Sequence, residues 1–303
     1  MSTHAHLAPE LIPVLDKPIA ERVALVKAHH WFGYPGADRI LSRLERLMTT
    51  SQPSRVTGAF IGGESNNGKS HIARRLKQLH PPVEDEVSGI MRVPVLHVDM
   101  PASPDESRFY DEIFTELWQP FRAKDPVSQK SAELRTLLRN IGTNLLLVDE
   151  IQNVLGARDD RRRALLDALR FLSNKLGIAI VCIGTLDAMA AFAAIDSIIN
   201  RFPPILLPAW ALDSNFRRLL ASFERVLPFP EASSLSKAKT AALIHSMSEG
   251  RIGEVRDLLV LVSEDALENS ETAISYDRIE STAWVRPSER KRKVDEQKLK
   301  TRR

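Results

Sequence analysis

Between positions 63 and 70 the chain reads Gly63-Glu64-Ser65-Asn66-Asn67-Gly68-Lys69-Ser70, filling every fixed position of the pattern G-x-x-x-x-G-K-[ST]. Each residue type has a physical task. The glycines let the backbone curl until successive N–H groups point inward and cradle phosphate oxygens. Lys69 brings a point charge to the β and γ phosphates, and Ser70 offers its hydroxyl to Mg²⁺. An apolar strand is expected before the loop and a helix after it, whose N-terminal dipole favours an anion. The loop residues Gly63 to Ser70, with His71 behind them, are therefore the expected nucleotide contacts, and ATP with Mg²⁺ the expected cofactors.

Leu145-Leu146-Leu147-Val148-Asp149-Glu150 supplies the second half of such a site. A buried strand would deliver two carboxylates at its C-terminal end, where ligands sit in open α/β sheets. Asp149 is expected to hold the Mg²⁺ shell, and Glu150 to polarise the attacking water as general base. An apolar strand ending in Asp-Glu is common by itself; about eighty residues after a phosphate loop it argues for hydrolysis. Ile180 to Thr185 is another strand with a polar end. If it lies between the other two, Thr185 contacts the γ-phosphate or orients the water; otherwise its hydroxyl satisfies local backbone. Arg201 precedes the last strand, where it either reaches a neighbouring subunit's γ-phosphate or caps a helix C-terminus. Upstream, the aromatic turn from His30 to Gly36 either plugs a core or, through Tyr34, covers the base.

These residues need a frame, and the hydrophobic pattern provides one. Strands are expected at Val56–Ile61, Val93–Val98, Asn144–Val148, Ala179–Gly184 and Ile205–Leu207. Helical periodicity falls between them, as in Lys69–Leu79, Ser107–Leu117, Ala132–Asn140, Arg163–Leu176 and Leu186–Ala194. Apolar strands without clean alternation, separated by helices, indicate a parallel sheet buried on both faces. After Pro208 the strand signal stops, and helices are expected from Asp213 to Leu227, Ser236 to Ser248, Ile252 to Glu268 and Ser275 to Ala283. Residues 1–20, with three prolines, read as an extended arm. The implied division is an arm with two helices over 1–50, a phosphate-loop domain over 51–210, a helical lid over 211–284, and a basic, disordered tail over 285–303.

Composition narrows the classes further. With 43% hydrophobic and 27% charged residues the chain is ordinary for a globular protein. The single cysteine, Cys182, excludes a disulfide framework and sits in a strand, so a buried thiol is expected. No basic-then-apolar leader opens the sequence, and Asp187 interrupts the one long apolar stretch, Leu176–Ile195; a cytoplasmic protein without a membrane span is expected. The net charge of +3 is uneven, because residues 286–303 hold nine basic side chains against three acidic ones. That tail is either a solvated end or an arm for DNA or a partner. Arg122, Lys124 and Lys130, and Arg161 with its neighbours Arg158, Arg162 and Arg163, are candidates for tracking DNA phosphates, the alternative being a solvated face. His29 and His30, and His4 and His6, have no spaced carboxylate or cysteine partners for a metal.

The ordered set of phosphate loop, Asp149-Glu150, Thr185, Arg201 and a helical lid resembles an AAA+ ATPase. Within that class the chain is similar to the TniB/TnsC-type transposition ATPases from about residue 30 to 263. The resemblance rests on Tyr34-Pro35-Gly36-Ala37, Gly63–Ser70, Val148-Asp149-Glu150-Ile151-Gln152-Asn153, Ile183-Gly184-Thr185, Arg201-Phe202 and Leu207-Pro208-Ala209-Trp210. It implies an α/β AAA+ P-loop domain with a central parallel sheet flanked by helices, then a small all-helical lid. It also implies a homo-oligomeric ring or filament on double-stranded DNA that recruits a transposase and a target-selection protein, with ATP hydrolysis controlling assembly. One departure stands out: Gly250-Arg251-Ile252-Gly253 has glycine where many such lids carry a sensor arginine, leaving Arg251 or Arg256 as substitutes. The same motifs also suit a replication initiator or helicase loader, and a nucleotide-gated scaffold with little turnover.

Overall fold

In the computed structural model, which describes residues 4–49, 58–87, 89–290 and 292–293, the chain divides into two compact units. The first comprises residues 35–65 and 69–208, the second 1–34, 66–68 and 209–303. Among the described residues the first unit has seven strands: β1 (Ala59–Gly63), β2 (Val83–Glu84), β3 (Met91–Arg92), β4 (Val95–Asp99), β5 (Leu145–Asp149), β6 (Ala179–Gly184) and β7 (Pro204–Leu207). β2 and β3 form a short antiparallel ribbon, and the other five form one sheet in the order β4-β5-β6-β1-β7, every pair parallel. The two residues at 56 and 57 of the expected first strand lie outside the described residues.

The burial pattern explains this order. Every residue of β1, β5 and β6 is buried, as central strands covered by helices on both faces must be. β7 alternates exposed and buried and begins with Pro204, which an edge strand tolerates because one side has no ladder partner. Flanking helices run over Pro35–Thr49, Lys69–Leu79, Glu106–Glu116, Val127–Asn140, Asp159–Leu176, Leu186–Ala193 and Asp196–Ile199. They bury Phe109, Tyr110, Ile113, Leu134, Leu169 and Leu172 against strand residues such as Phe60, Leu146 and Ile180. Cys182 is in this core, and burial pushes its thiol pKa up, consistent with an inert thiol.

The second unit is helical, with Ile19–Lys27, Ser214–Glu224, Ala238–Ser248, Ile252–Glu268 and Tyr276–Ser281 around Phe216, Leu220, Leu258, Leu259 and Ile279. Asp213 caps its first C-terminal helix through the amides of Asn215 and Phe216. The expected arm is folded here rather than extended. Pro9–Asp16 forms a 3-10 helix, Leu7 and Leu11 are buried, and Ala8 N–H donates to Arg225 carbonyl at 3.0 Å. Arg22 donates to the Pro228 carbonyl at 2.6 Å, so the N-terminal segment groups with the lid helices, not with Pro35–Thr49. Among the described residues no helix is long and apolar enough to cross a membrane.

One candidate DNA contact is corrected by its surroundings. Lys130, in the first turn of Val127–Asn140, is 1% exposed, and its ammonium donates to Asp111 at 2.6 Å, Ser107 at 2.9 Å and the Ala123 carbonyl at 3.1 Å. All three of its donors are satisfied inside the protein, so it cannot also neutralise an external phosphate. Removing it leaves Asp111 without its cation in a poorly solvated position. Lys130→Ala is expected to lower stability by about 2–4 kcal/mol, less than for a fully buried pair because Asp111 retains some contact with water, and to leave DNA affinity unchanged. Urea unfolding and a filter-binding assay check the two halves of that statement.

Candidate nucleotide-binding site

Because the sheet is parallel, β1, β5 and β6 end at one edge, and β6 lies between β1 and β5. The phosphate loop, the Asp-Glu pair and Thr185 therefore emerge side by side, at the edge where open α/β sheets bind ligands. β1 stops at Gly63 and the next helix begins at Lys69, so the motif fills the strand-to-helix turn. Asn66 and Gly68 take left-handed backbone, with φ of 57° and 84°, the curl that the inward-facing amides require. Ser65 is exposed, Glu64, Ser70 and His71 are half-buried, and Asn67 is buried.

Lys69 is the cation of the site. Its ammonium donates to the Gly63 carbonyl at 3.0 Å and the Glu64 carbonyl at 2.7 Å. Burial pulls its pKa down, against the opposing pull of Asp149, Glu150 and Glu64. Asp149, the last residue of β5, is buried and hydrogen-bonded to Ser70, and its Oδ1 accepts from the Glu150 amide at 2.8 Å. Burial pushes its carboxyl pKa up, yet His97, Ser70 and the Glu150 amide outweigh this and hold it below the ordinary carboxylate range.

Glu150 follows with φ of 53°, a left-handed turn that swings its carboxylate out to an exposed position. The Gln152 amide donates to it. Burial of part of the carboxyl, then the negative charges of Asp149 and Asp99, raise its pKa, as suits a base that must take a proton. Lys69, Ser70, Asp149 and Glu150 are thus brought together by two segments about eighty residues apart in sequence.

Three participants went unread in the sequence. In parallel register His97 pairs with Leu147 and Asp99 with Asp149, so β4 delivers both to the same edge. His97 Nε2 is buried 3.6 Å from Asp149 Oδ2, long for a hydrogen bond but close enough to support the charge. His97, Asp99 and Asp149 have ligand atoms all within 4.8 Å of one another. The signal was a strand ending in Asp like its neighbour, legible only once β4 and β5 were known to pair. Gln152 was read as part of a resemblance and not as the residue that holds Glu150.

The other candidates are placed as follows. Thr185 caps the helix Leu186–Ala193, its Oγ accepting from the Ala188 amide at 3.4 Å. Arg201 is half-buried, with its guanidinium donating to Asn174. Arg122, Lys124 and Arg161 are exposed, and beside the first two Trp118 is 93% exposed in a left-handed turn with φ of 54°. In the helical unit, Tyr34 lies against Trp210 with ring centroids 4.7 Å apart. There the missing lid arginine has a steric reason: Gly253 N–H donates to the Asn66 carbonyl at 2.9 Å, and any Cβ on Gly253 would collide with the Asn66 side chain. Arg256 is engaged with the Lys27 carbonyl at 2.7 Å and with Asp257, and Arg251 with Glu249.

A phosphate loop on β1, an acidic β5 beyond an intervening β6, and a C-terminal helical region define an AAA+ P-loop protein. A family profile described as "Bacterial TniB protein" matches residues 22–212, and the chain belongs to that family. No curated protein matches the sequence. The fold is shared with the Aeropyrum pernix ORC2 protein in ADPNP-ADP complexes, at a TM-score of 0.58 and 16% identity over 86% of this chain. It is shared too with Cdc6p from Pyrobaculum aerophilum, at 0.59 and 18% over 83% of this chain, and with the Aeropyrum pernix ORC1 protein in complex with DNA, at 0.56 and 14% over 86%. The chain spans 66%, 67% and 68% of those three chains respectively.

Gly184, just before Thr185, is a position with no room. A Cβ there would stand 2.6 Å from Ile151 Cγ2 and 2.9 Å from Gln152 Oε1. Gly184→Ala is expected to displace the Ile151–Gly156 turn that carries Gln152, and to cost about 1–3 kcal/mol as an overpacked site. A lower urea midpoint at unchanged m value reads this out.

Proposed function

We propose that this chain binds and hydrolyses ATP at the edge formed by β1, β5 and β6, and uses the cycle to regulate transposition on DNA. The observation that carries the hydrolytic reading is the convergence of Lys69, Ser70, Asp149 and Glu150, with Glu150 turned outward at raised pKa. The loop amides and Lys69 bind the β and γ phosphates. Glu150, held by Gln152, takes a proton from a water aligned with the γ-phosphate as that water attacks phosphorus; the bond to the β–γ bridging oxygen breaks and ADP and phosphate leave. A hydroxyl beside a low-pKa carboxylate is the hard-oxygen donor set that Mg²⁺ prefers, and Ser70 and Asp149 would hold it, with charge neutralisation as its contribution. In this reading Thr185 orients the water or senses the γ-phosphate, Tyr34 covers the base, and Arg201 completes the site of a neighbouring copy in a homo-oligomeric ring or filament.

Family membership supports the transposition reading, with a transposase and a target-selection protein as partners. DNA binding draws support from the exposed Arg122, Lys124, Arg161 and Trp118 and from the DNA-bound state of one structural neighbour. The likeness to ORC and Cdc6 folds favours one second reading, a replication initiator or helicase loader. Pull-down of a replicative helicase in place of transposase would select it.

DNA-stimulated phosphate release that falls at least about a hundredfold in Glu150→Gln, with ATP affinity retained, is the expected result. Equal turnover in the variant would remove Glu150 from the mechanism, and tight binding without turnover in the wild type would leave a nucleotide-gated scaffold. The base works deprotonated and its pKa is raised, so turnover should fall on acidification at a pH above the usual glutamate value. For DNA, Arg122→Ala with Lys124→Ala should weaken binding to all sequences and reduce the slope of log K against log salt by about 2. An unaltered slope would clear both residues.

A further inference from the structure

The basic C-terminal segment does not begin as a solvated end. Residues 287–290 and 292–293 are helical, and Ser288 N–H and hydroxyl both donate to Glu249. Arg290 then reaches back to Glu254 with two nitrogens, Nη1 at 2.8 Å from Oε1 and Nη2 on Oε2. Its guanidinium lies 5.4 Å over the Trp284 ring, its Nε donates to the Val285 carbonyl at 3.2 Å, and Trp284 is itself fixed by the Met247 carbonyl at 2.9 Å. A planar fork held on three sides is a built contact, not an incidental surface pair.

Glu254 is the partner that gives this contact a consequence. Its side chain is 3% exposed, in the first turn of Ile252–Glu268, and it accepts from the Asn66 amide at 3.0 Å. The same Asn66 nitrogen donates to Asp257 at 2.9 Å, and Gly253 N–H holds the Asn66 carbonyl. Asn66 stands three residues before Lys69. Two carboxylates therefore hold the Asn66 amide, while Arg251 at that helix start is paired with Glu249. Without Arg290 the buried Glu254 would keep Arg251 alone as a neighbouring cation, and an under-compensated carboxylate beside Asn66 disfavours polyphosphate on the same loop. Burial pushes the Glu254 pKa up, and Arg290 and Asn66 overcome this to keep it ionised.

We infer that Arg290 is a positioning residue for the nucleotide site: it neutralises Glu254 behind the phosphate loop, fixes Asn66 through it, and so sets nucleotide affinity. The inference rests on the ATP-binding reading, and its test has one arm that does not. In the nucleotide-free, full-length chain, Arg290→Ala should speed hydrogen exchange at least about fivefold in the peptides carrying Gly253 and the loop tip. Arg290→Lys, which keeps the charge, should stay near wild type. With a fluorescent ATP analogue, Arg290→Ala should raise Kd about tenfold and KM alike while kcat stays within about twofold. Measured against Glu254→Gln alone, adding Arg290→Ala should cost less than about twofold in affinity.

Unchanged exchange in Arg290→Ala overturns the tie to the loop. A tenfold loss that persists in the Glu254→Gln background overturns the charge argument, because Arg290 would then be acting on something else. Arg290→Lys keeps the charge test falsifiable if the alanine variant is unstable, since affinity lost in the lysine variant also counts against the inference. If the wild type itself binds no ATP analogue, the proposed function falls while the exchange arm still decides whether Arg290 holds the loop.

Discussion

The structure turns on a concentration of charge that an ordinary protein interior would not tolerate. Lys69, Asp149 and Glu150, with Asp99 and His97 close by, meet at the end of a sheet whose central strands are wholly buried. Charges drawn out of water survive only when paired or hydrogen-bonded, and Lys69, Asp149 and the more exposed Glu150 each have a specific support. Lys69 rests on two loop carbonyls, Asp149 on Ser70 and an amide, and Glu150 on Gln152. The rest of the first unit follows from that need. Three parallel strands must end together, and apolar helices must cover both faces so that their ends are the only polar exits.

How much of this was legible from the residues depends on how local each piece is. Gly63–Ser70 is contiguous, so its types and spacing disclosed both the site and its ligand class. β6 coincides with the apolar run at Ala179–Gly184, and Ile252–Glu268 with its periodic pattern, because both elements are specified by near neighbours in the chain. The N-terminal arm differs from the extended expectation because it is tied to residues about two hundred positions later, Ala8 to Arg225 and Arg22 to Pro228, whereas three prolines look extended in isolation. Lys130 looked like a surface cation because nothing nearby in sequence announces Asp111 as its partner. His97 and Asp99 became meaningful only through strand register. These are long-range contacts, which leave no period in the sequence; Gln152, two residues from Glu150, is the local exception.

Gly253 shows how a departure from a family pattern becomes intelligible. In sequence it was the absence of an arginine. In the structure it is the presence of Asn66, whose side chain and carbonyl fill the space a Cβ would need. Asn66 and the lid helix are fitted to each other at the backbone, and Glu254 in the first turn of that helix takes its two-nitrogen partner, Arg290, from the C-terminal segment.

The grouping of the chain has a consequence for how the protein comes into being. The helical unit is assembled from both ends, with Val26 packed among residues from Phe216 to Ile279, while the sheet unit is a continuous stretch broken only at the loop tip. At about 5–20 residues per second, the ribosome makes the first helix roughly 10–40 s before its partners exist. During that interval Leu7, Leu11 and Val26 have no core to enter, while the sheet can already close. Synthesis therefore imposes an order, sheet first and lid second, and the early N-terminal segment is the part of the nascent chain that a chaperone would find uncovered.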